Sequence, residues 1–92
     1  MAREIPVVLV TSPGCHFCDD AAMLLDELAG THPLRVERVP LSSDHGRSLL
    51  VRHRVPFPPI LMIDGELFGF GRISRRKLHA YLAARAANER VG

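Results

Sequence analysis

The sequence has 92 residues, 12 Lys and Arg against 10 Asp and Glu for a formal net charge of +2, and 47% apolar against 24% charged side chains. A chain of this length closes one core and not two, its composition is globular and not disordered, and so slight a charge implies no nucleic-acid partner. The apolar run at the start is about six residues long, too short and wrongly flanked for a signal peptide, and no later run could span a bilayer. The expectation is one domain over residues 1–92, a cytoplasmic monomer with no membrane partner.

Ile5 to Thr11, IPVVLVT, is β-branched and nearly uninterrupted, the pattern of a strand buried on both faces, with Pro6 tolerable near its start. From Phe17 to Ala29 the apolar positions Phe17, Cys18, Ala21, Ala22, Leu24, Leu25, Leu28 and Ala29 recur at helical spacing, and Gly30 supplies a stop. Leu34 to Val39 alternates apolar and charged residues, which predicts a strand with one wet face near a sheet edge, ended by Pro40. Ser43 or Asp44 can cap a short helix through Leu49, Leu50 and Val51, although Gly46 inside it weakens the pattern.

Pro59 to Ile63, then Asp64-Gly65, then Glu66 to Phe70 predicts a hairpin, because Asp-Gly supplies the positive backbone angles of a tight turn. Ser74 caps a last helix with Leu78, Tyr81, Leu82 and Ala86 on one face, and residues 88–92 are expected to fray. The order βαβαββα is that of an α/β fold. Its opening parallel unit crosses over right-handed and its closing hairpin joins the same sheet, giving a mixed four-stranded sheet with helices on both faces.

Between the first strand and the first helix stands SPGCHFCDDA, residues 12 to 21. In a reducing compartment a close cysteine pair points to redox chemistry or metal more than to a structural disulfide. Cys15 lies at the mouth of the helix, where unpaired N–H groups and the helix dipole favour a thiolate. Cys18, one turn on, shares its helical face and is placed to attack a mixed disulfide formed at Cys15. His16 helps the thiolate when protonated, while Asp19 and Asp20 suit the helix start but oppose a second anion. Two free cysteines can also simply pack. Here, however, the pair follows a buried strand and a Pro-Gly turn, at the strand-to-helix edge where α/β folds concentrate function.

The strand VVLVT, the turn SPGCHFC and the later PPILMIDGELFGFG together resemble the glutaredoxin family within the thioredoxin-like fold, over nearly the whole chain. The resemblance implies a Cys-x-x-Cys opening the first helix, a cis-proline beginning the third strand beside it, and a hairpin running into a glycine pair. Pro59 takes the place of that cis-proline and Gly69 that of the first glycine. An extended partner would dock there by strand-like pairing. The implied activity is thiol–disulfide exchange with Cys15 and Cys18 catalytic and His16, Phe17, Pro58, Pro59, Gly69 and Phe70 at the substrate. Protein disulfides or glutathione-mixed disulfides are the implied substrates, glutathione or a thioredoxin-type reductase the electron donor, with no tightly bound cofactor.

The glutathione cradle of that family is altered in kind. Ser12 stands where a Lys usually precedes the first cysteine, and Phe17 where a Tyr precedes the second. Pro58 has no N–H to give, Phe70 replaces the second glycine, and Arg72-Ile73-Ser74-Arg75-Arg76-Lys77 replaces an expected acidic residue. Dithiol chemistry with an atypical glutathione site is the reading that follows.

The rival class is a metal or iron–sulfur carrier on the same cysteines. Zinc needs four ligands, and only Cys15, Cys18 and His16 or His53 offer themselves; a cluster held between two subunits would borrow ligands from glutathione. Arg52, His53 and Arg54 either meet a substrate carboxylate or ease a helix end. Arg75, Arg76 and Lys77 sit where cations are mildly unfavourable, which hints at an acidic partner. His32, His45 and His79 lack metal spacing and read as surface residues. Phe57 and Phe70 flank the expected groove, with core packing expected for at least one of them.

Overall fold

The computed structural model describes residues 4–91, and side chains as far as residue 87. Four strands and three helices follow in the expected order: β1 (Ile5–Thr11), α1 (His16–Leu28), β2 (Leu34–Pro40), α2 (Asp44–Arg52), β3 (Ile60–Ile63), β4 (Glu66–Phe70) and α3 (Arg75–Val91). They form one mixed sheet in the order β2-β1-β3-β4. β1 pairs parallel with β2 from Ile5 opposite Leu34 to Thr11 opposite Pro40. It pairs antiparallel with β3 from Val7 opposite Ile63 to Val10 opposite Ile60. The expectation of a frayed 88–92 end falls on residues whose side chains, and for Gly92 the backbone too, lie outside the description.

Alternation along the two central strands builds a core on each side of the sheet, since successive side chains point to opposite faces. Ile5, Val7 and Leu9 of β1 and Leu61 and Ile63 of β3 meet Ala21, Leu24, Leu25 and Leu28 of α1 and Leu78 and Leu82 of α3. Val10, Ile60 and Met62 face the other way, against Val39 of β2, Leu49 of α2 and Val55. Helices therefore cover both faces. β2 is an edge strand, as its alternation predicts, but it is wetter than expected: Val39 alone is buried, and Val36 stays 38% exposed. The nine-residue α2 packs over the end that carries Val39 and leaves the rest uncovered.

Gly46, which weakens the helical pattern of α2 in the sequence, is what lets α2 sit where it does. A Cβ at this position would lie 2.9 Å from Leu41 Cα and press on the Pro40 carbonyl. Ser43, not Asp44, is the N-cap: its Oγ accepts the Gly46 N–H at 3.0 Å and donates to Pro40 O at 2.6 Å. The hairpin turn has Asp64 at φ 54° and Gly65 at φ 82°, both central residues positive as a type I′ turn demands. Ser74 caps α3, accepting the Lys77 N–H at 3.2 Å.

Candidate active site

β1 delivers the chain to a tight turn at Pro13 and Gly14, and α1 begins immediately after Cys15. Cys15 is the N-cap, with extended backbone (φ −97°, ψ 108°), so its side chain turns back over the first helical turn. Its Sγ accepts the Cys18 N–H at 3.1 Å. Cys18 lies one turn along, and the two cysteines form a disulfide with Cα atoms 5.2 Å apart. Their surroundings differ. Cys18 is 1% exposed, beneath the helix, while Cys15 is half-buried and meets solvent. An incoming sulfur or thiolate reaches Cys15 first.

The third strand brings the second part of the site. Pro58 O lies 4.0 Å from Cys15 Sγ. The bond between Pro58 and Pro59 is cis, and Pro59 is fully buried. In the reduced protein the Pro58 carbonyl can accept the thiol proton and the Cys18 N–H can stabilise the thiolate. The N–H is closer and is reinforced by the helix dipole, so the thiolate has the stronger partner.

The other residues expected at the substrate are distributed around this pair. His16 and Phe17 are exposed on the first turn of α1. Phe70 is 41% exposed at the end of β4 opposite Ile60, and Gly69 is half-buried opposite Leu61. Neither Phe57 nor Phe70 enters the core, contrary to the expectation for at least one of them. Their rings meet edge to face with centroids 5.7 Å apart, and Phe57 is 49% exposed. Each shields the other, which is how two large apolar side chains remain at the surface.

Sequence reasoning missed Gly71. It is buried, has φ +66°, and donates its N–H to Pro59 O at 2.8 Å. A Cβ there would come within 2.6 Å of the Phe57 ring. Regular antiparallel counting from the turn places Phe70 beside Pro59. The register instead slips by one between Leu61 and Met62, so Leu61 faces Gly69 and the residue next to Pro59 becomes Gly71. The doubled glycine in FGFG was the available signal.

Arg52, His53 and Arg54 make no hydrogen bond or ion pair to the cysteine region among the described residues, and His53 serves as the C-cap of α2. Arg75 pairs with Glu27, whereas Arg72, Arg76 and Lys77 are exposed with no carboxylate partner among the described residues. His32 and His79 meet edge to face at 6.3 Å. Among the described residues no three His, Cys, Asp or Glu side chains gather as a metal site, and no helix is long and apolar enough to cross a membrane.

The βαβαββα order, the β2-β1-β3-β4 sheet and the Cys-x-x-Cys at the start of α1 define a thioredoxin-like fold with a cysteine pair at disulfide distance. A mutant thioredoxin from Halobacterium salinarum NRC-1 superposes with a TM-score of 0.64 and 18% identity, over 87% of this chain and 73% of that one. A structure described as that of a malarial protein superposes at 0.60, again with 18% identity, over 85% of this chain and 92% of its own. No family model matches the sequence, and no curated protein matches it either. At such identity the likeness shows the fold.

Proposed function

We propose that the chain is a glutaredoxin-like thiol–disulfide oxidoreductase acting on disulfide-containing proteins in the cytoplasm. The observation that carries this reading is the asymmetry of the pair: Cys15 half-exposed at a helix N-cap, Cys18 buried behind it and bonded to it. In the reduced protein the Cys15 thiolate bonds to one sulfur of a substrate disulfide, the substrate S–S bond breaks, and its other sulfur leaves as a thiolate that takes a proton. Cys18, once deprotonated, then bonds to Cys15 Sγ and displaces the partner's remaining sulfur. Two electrons pass to the substrate and the Cys15–Cys18 disulfide is left. Glutathione or a thioredoxin-type reductase returns the two electrons, with no tightly bound cofactor. Support for the likeness to glutaredoxins comes from the cysteine and Pro59 layout, while Ser12, Phe17, Pro58 and Phe70 favour a protein disulfide over glutathione as the principal substrate.

The test is a pair of single variants incubated with a disulfide-bonded protein and read by mass spectrometry. Cys15→Ser should abolish exchange, and Cys18→Ser should accumulate a covalent adduct at Cys15. Equal alkylation of the surviving cysteine in both variants would contradict these roles. Coupling the oxidised protein to NADPH through thioredoxin reductase, and separately through glutathione and its reductase, identifies the donor. The carrier alternative needs ligands beyond the two cysteines, and among the described residues no three His, Cys, Asp or Glu side chains gather to supply them; stoichiometric zinc or iron in the purified protein would favour it.

A further inference from the structure

The surface beside Pro58 carries features that the exchange chemistry leaves unused. Phe57 and Phe70 stand as an exposed pair. Directly beyond Phe70 the chain passes through Gly71, tied to Pro59 O, and into Arg72. Phe70, Arg72 and Lys77 line one cavity of about 250 Å³. Arg72 also lines a neighbouring cavity of about 550 Å³, shared with Asp20 and with Arg75, whose guanidinium is already held by Glu27. The first turn of α3 contains no acidic residue, although that end of a helix favours acids and disfavours cations. Lys77 gains nothing from the helix start it occupies, and Arg72 lies before α3 and serves no helix at all.

Exposed aromatic rings continuous with arginine are the composition of a protein interface. We propose that the strip from Cys15 through Phe57 and Phe70 to Arg72 and Lys77 docks an acidic polypeptide, one carrying Asp or Glu beside its reactive cysteine. The proposal rests on the thiol–disulfide reading above and names its substrate class. Complementary charge fits Arg72 and Lys77, and the partner's apolar side chains fit the two rings. Pro58 offers an extended partner a carbonyl and no N–H, so backbone pairing there is halved and the side chains further along must supply the affinity. That favours a partner long enough to reach Lys77 over a tripeptide.

The test uses short peptides with one central cysteine flanked by Glu or by Lys, each blocked as a mixed disulfide with thionitrobenzoate. When reduced protein is added, Cys15 bonds to the peptide sulfur, the S–S bond breaks, and coloured thionitrobenzoate leaves. The Glu peptide should react about tenfold faster than the Lys peptide at low ionic strength, and the gap should narrow sharply by about 0.5 M salt. In Arg72→Glu/Lys77→Glu the preference should invert. In Arg35→Glu/Arg38→Glu, which changes the net charge equally on the opposite sheet edge, the acidic preference should persist.

Equal rates for the two peptides, or the same loss of preference in both double variants, would overturn the proposal. So would a glutathione–thionitrobenzoate disulfide that outpaces the Glu peptide and loses as much rate in Arg72→Glu/Lys77→Glu, since the surface would then be reading glutathione's carboxylates. Neutral dithiodipyridine separates the two levels. If the reduced wild-type protein attacks it no faster than free cysteine does, the redox reading falls; if attack is fast while the peptides react equally, only the docking strip falls.

Discussion

At the scale of single residues the chemistry rests on a sulfur that occupies a helix cap. A Ser or Asp at an N-cap satisfies a backbone N–H and does nothing more. Cys15 accepts the Cys18 N–H in the same way, at 3.1 Å, and the helix end that it caps favours its anion. In a Cys18→Ala variant the Cys15 thiol should therefore ionise below the ordinary thiol range, measured as the pH dependence of iodoacetamide alkylation. A midpoint at or above that of free cysteine would remove the basis for the nucleophile. Gly71 is the second decisive residue, because its φ of +66° lies where a Cβ is strained. Gly71→Ala should cost about 1–2 kcal/mol from the backbone alone, read as a lower urea midpoint. The Phe57 ring, half-exposed, can swing away from the new methyl, so the loss should stay near the backbone figure. A much larger loss would mean that the Phe57–Phe70 pair is rigidly held.

Among the elements, α2 shows how a weak sequence signal can mark a tight structural requirement. Helix propensity disfavours Gly within a helix, yet at this third position of α2 the missing side chain admits the Pro40 carbonyl and Leu41 Cα. Gly46→Ala should raise the helix propensity of α2 and still destabilise the protein by about 1–3 kcal/mol through overpacking. Stabilisation in chemical denaturation would show that the turn before α2 simply relaxes. Ser43→Ala removes both the Gly46 cap and the bond to Pro40 O and should cost about 1 kcal/mol. The β3–β4 hairpin teaches a related lesson: its Asp64-Gly65 turn is legible in the sequence, but the one-residue slip between Leu61 and Met62 is not. Bulges are settled by how a strand end must twist to meet its surroundings, and this one places Gly71 instead of Phe70 beside Pro59.

Across the whole molecule, one sheet holds two separate cores, and the larger ties both long helices to β1 and β3. Leu78 of α3 is fully buried in it, so Leu78→Ala should cost about 2–5 kcal/mol, whereas Val51→Ala, at a site 72% exposed, should change stability by less than about 0.5 kcal/mol. Comparable thermal shifts for the two variants would mean that α3 is not anchored as described. The Arg85–Asp64 pair, 3.1 Å apart at the surface, adds little beside that burial. The sequence by itself determined the element order, the two-faced burial of β1, the hairpin turn, and the placing of Cys15 at a helix mouth with Cys18 one turn on. Each of these follows from periodicity and local backbone preference, which a linear pattern carries. Only the tertiary structure decided that Cys18 is the buried partner, that Gly71 rather than Phe70 lies beside Pro59, that Phe57 and Phe70 stay at the surface together, and that Gly46 is a contact point. These depend on which backbones meet across the sheet and how closely, and residues distant in sequence acquire such neighbours only when the chain is packed.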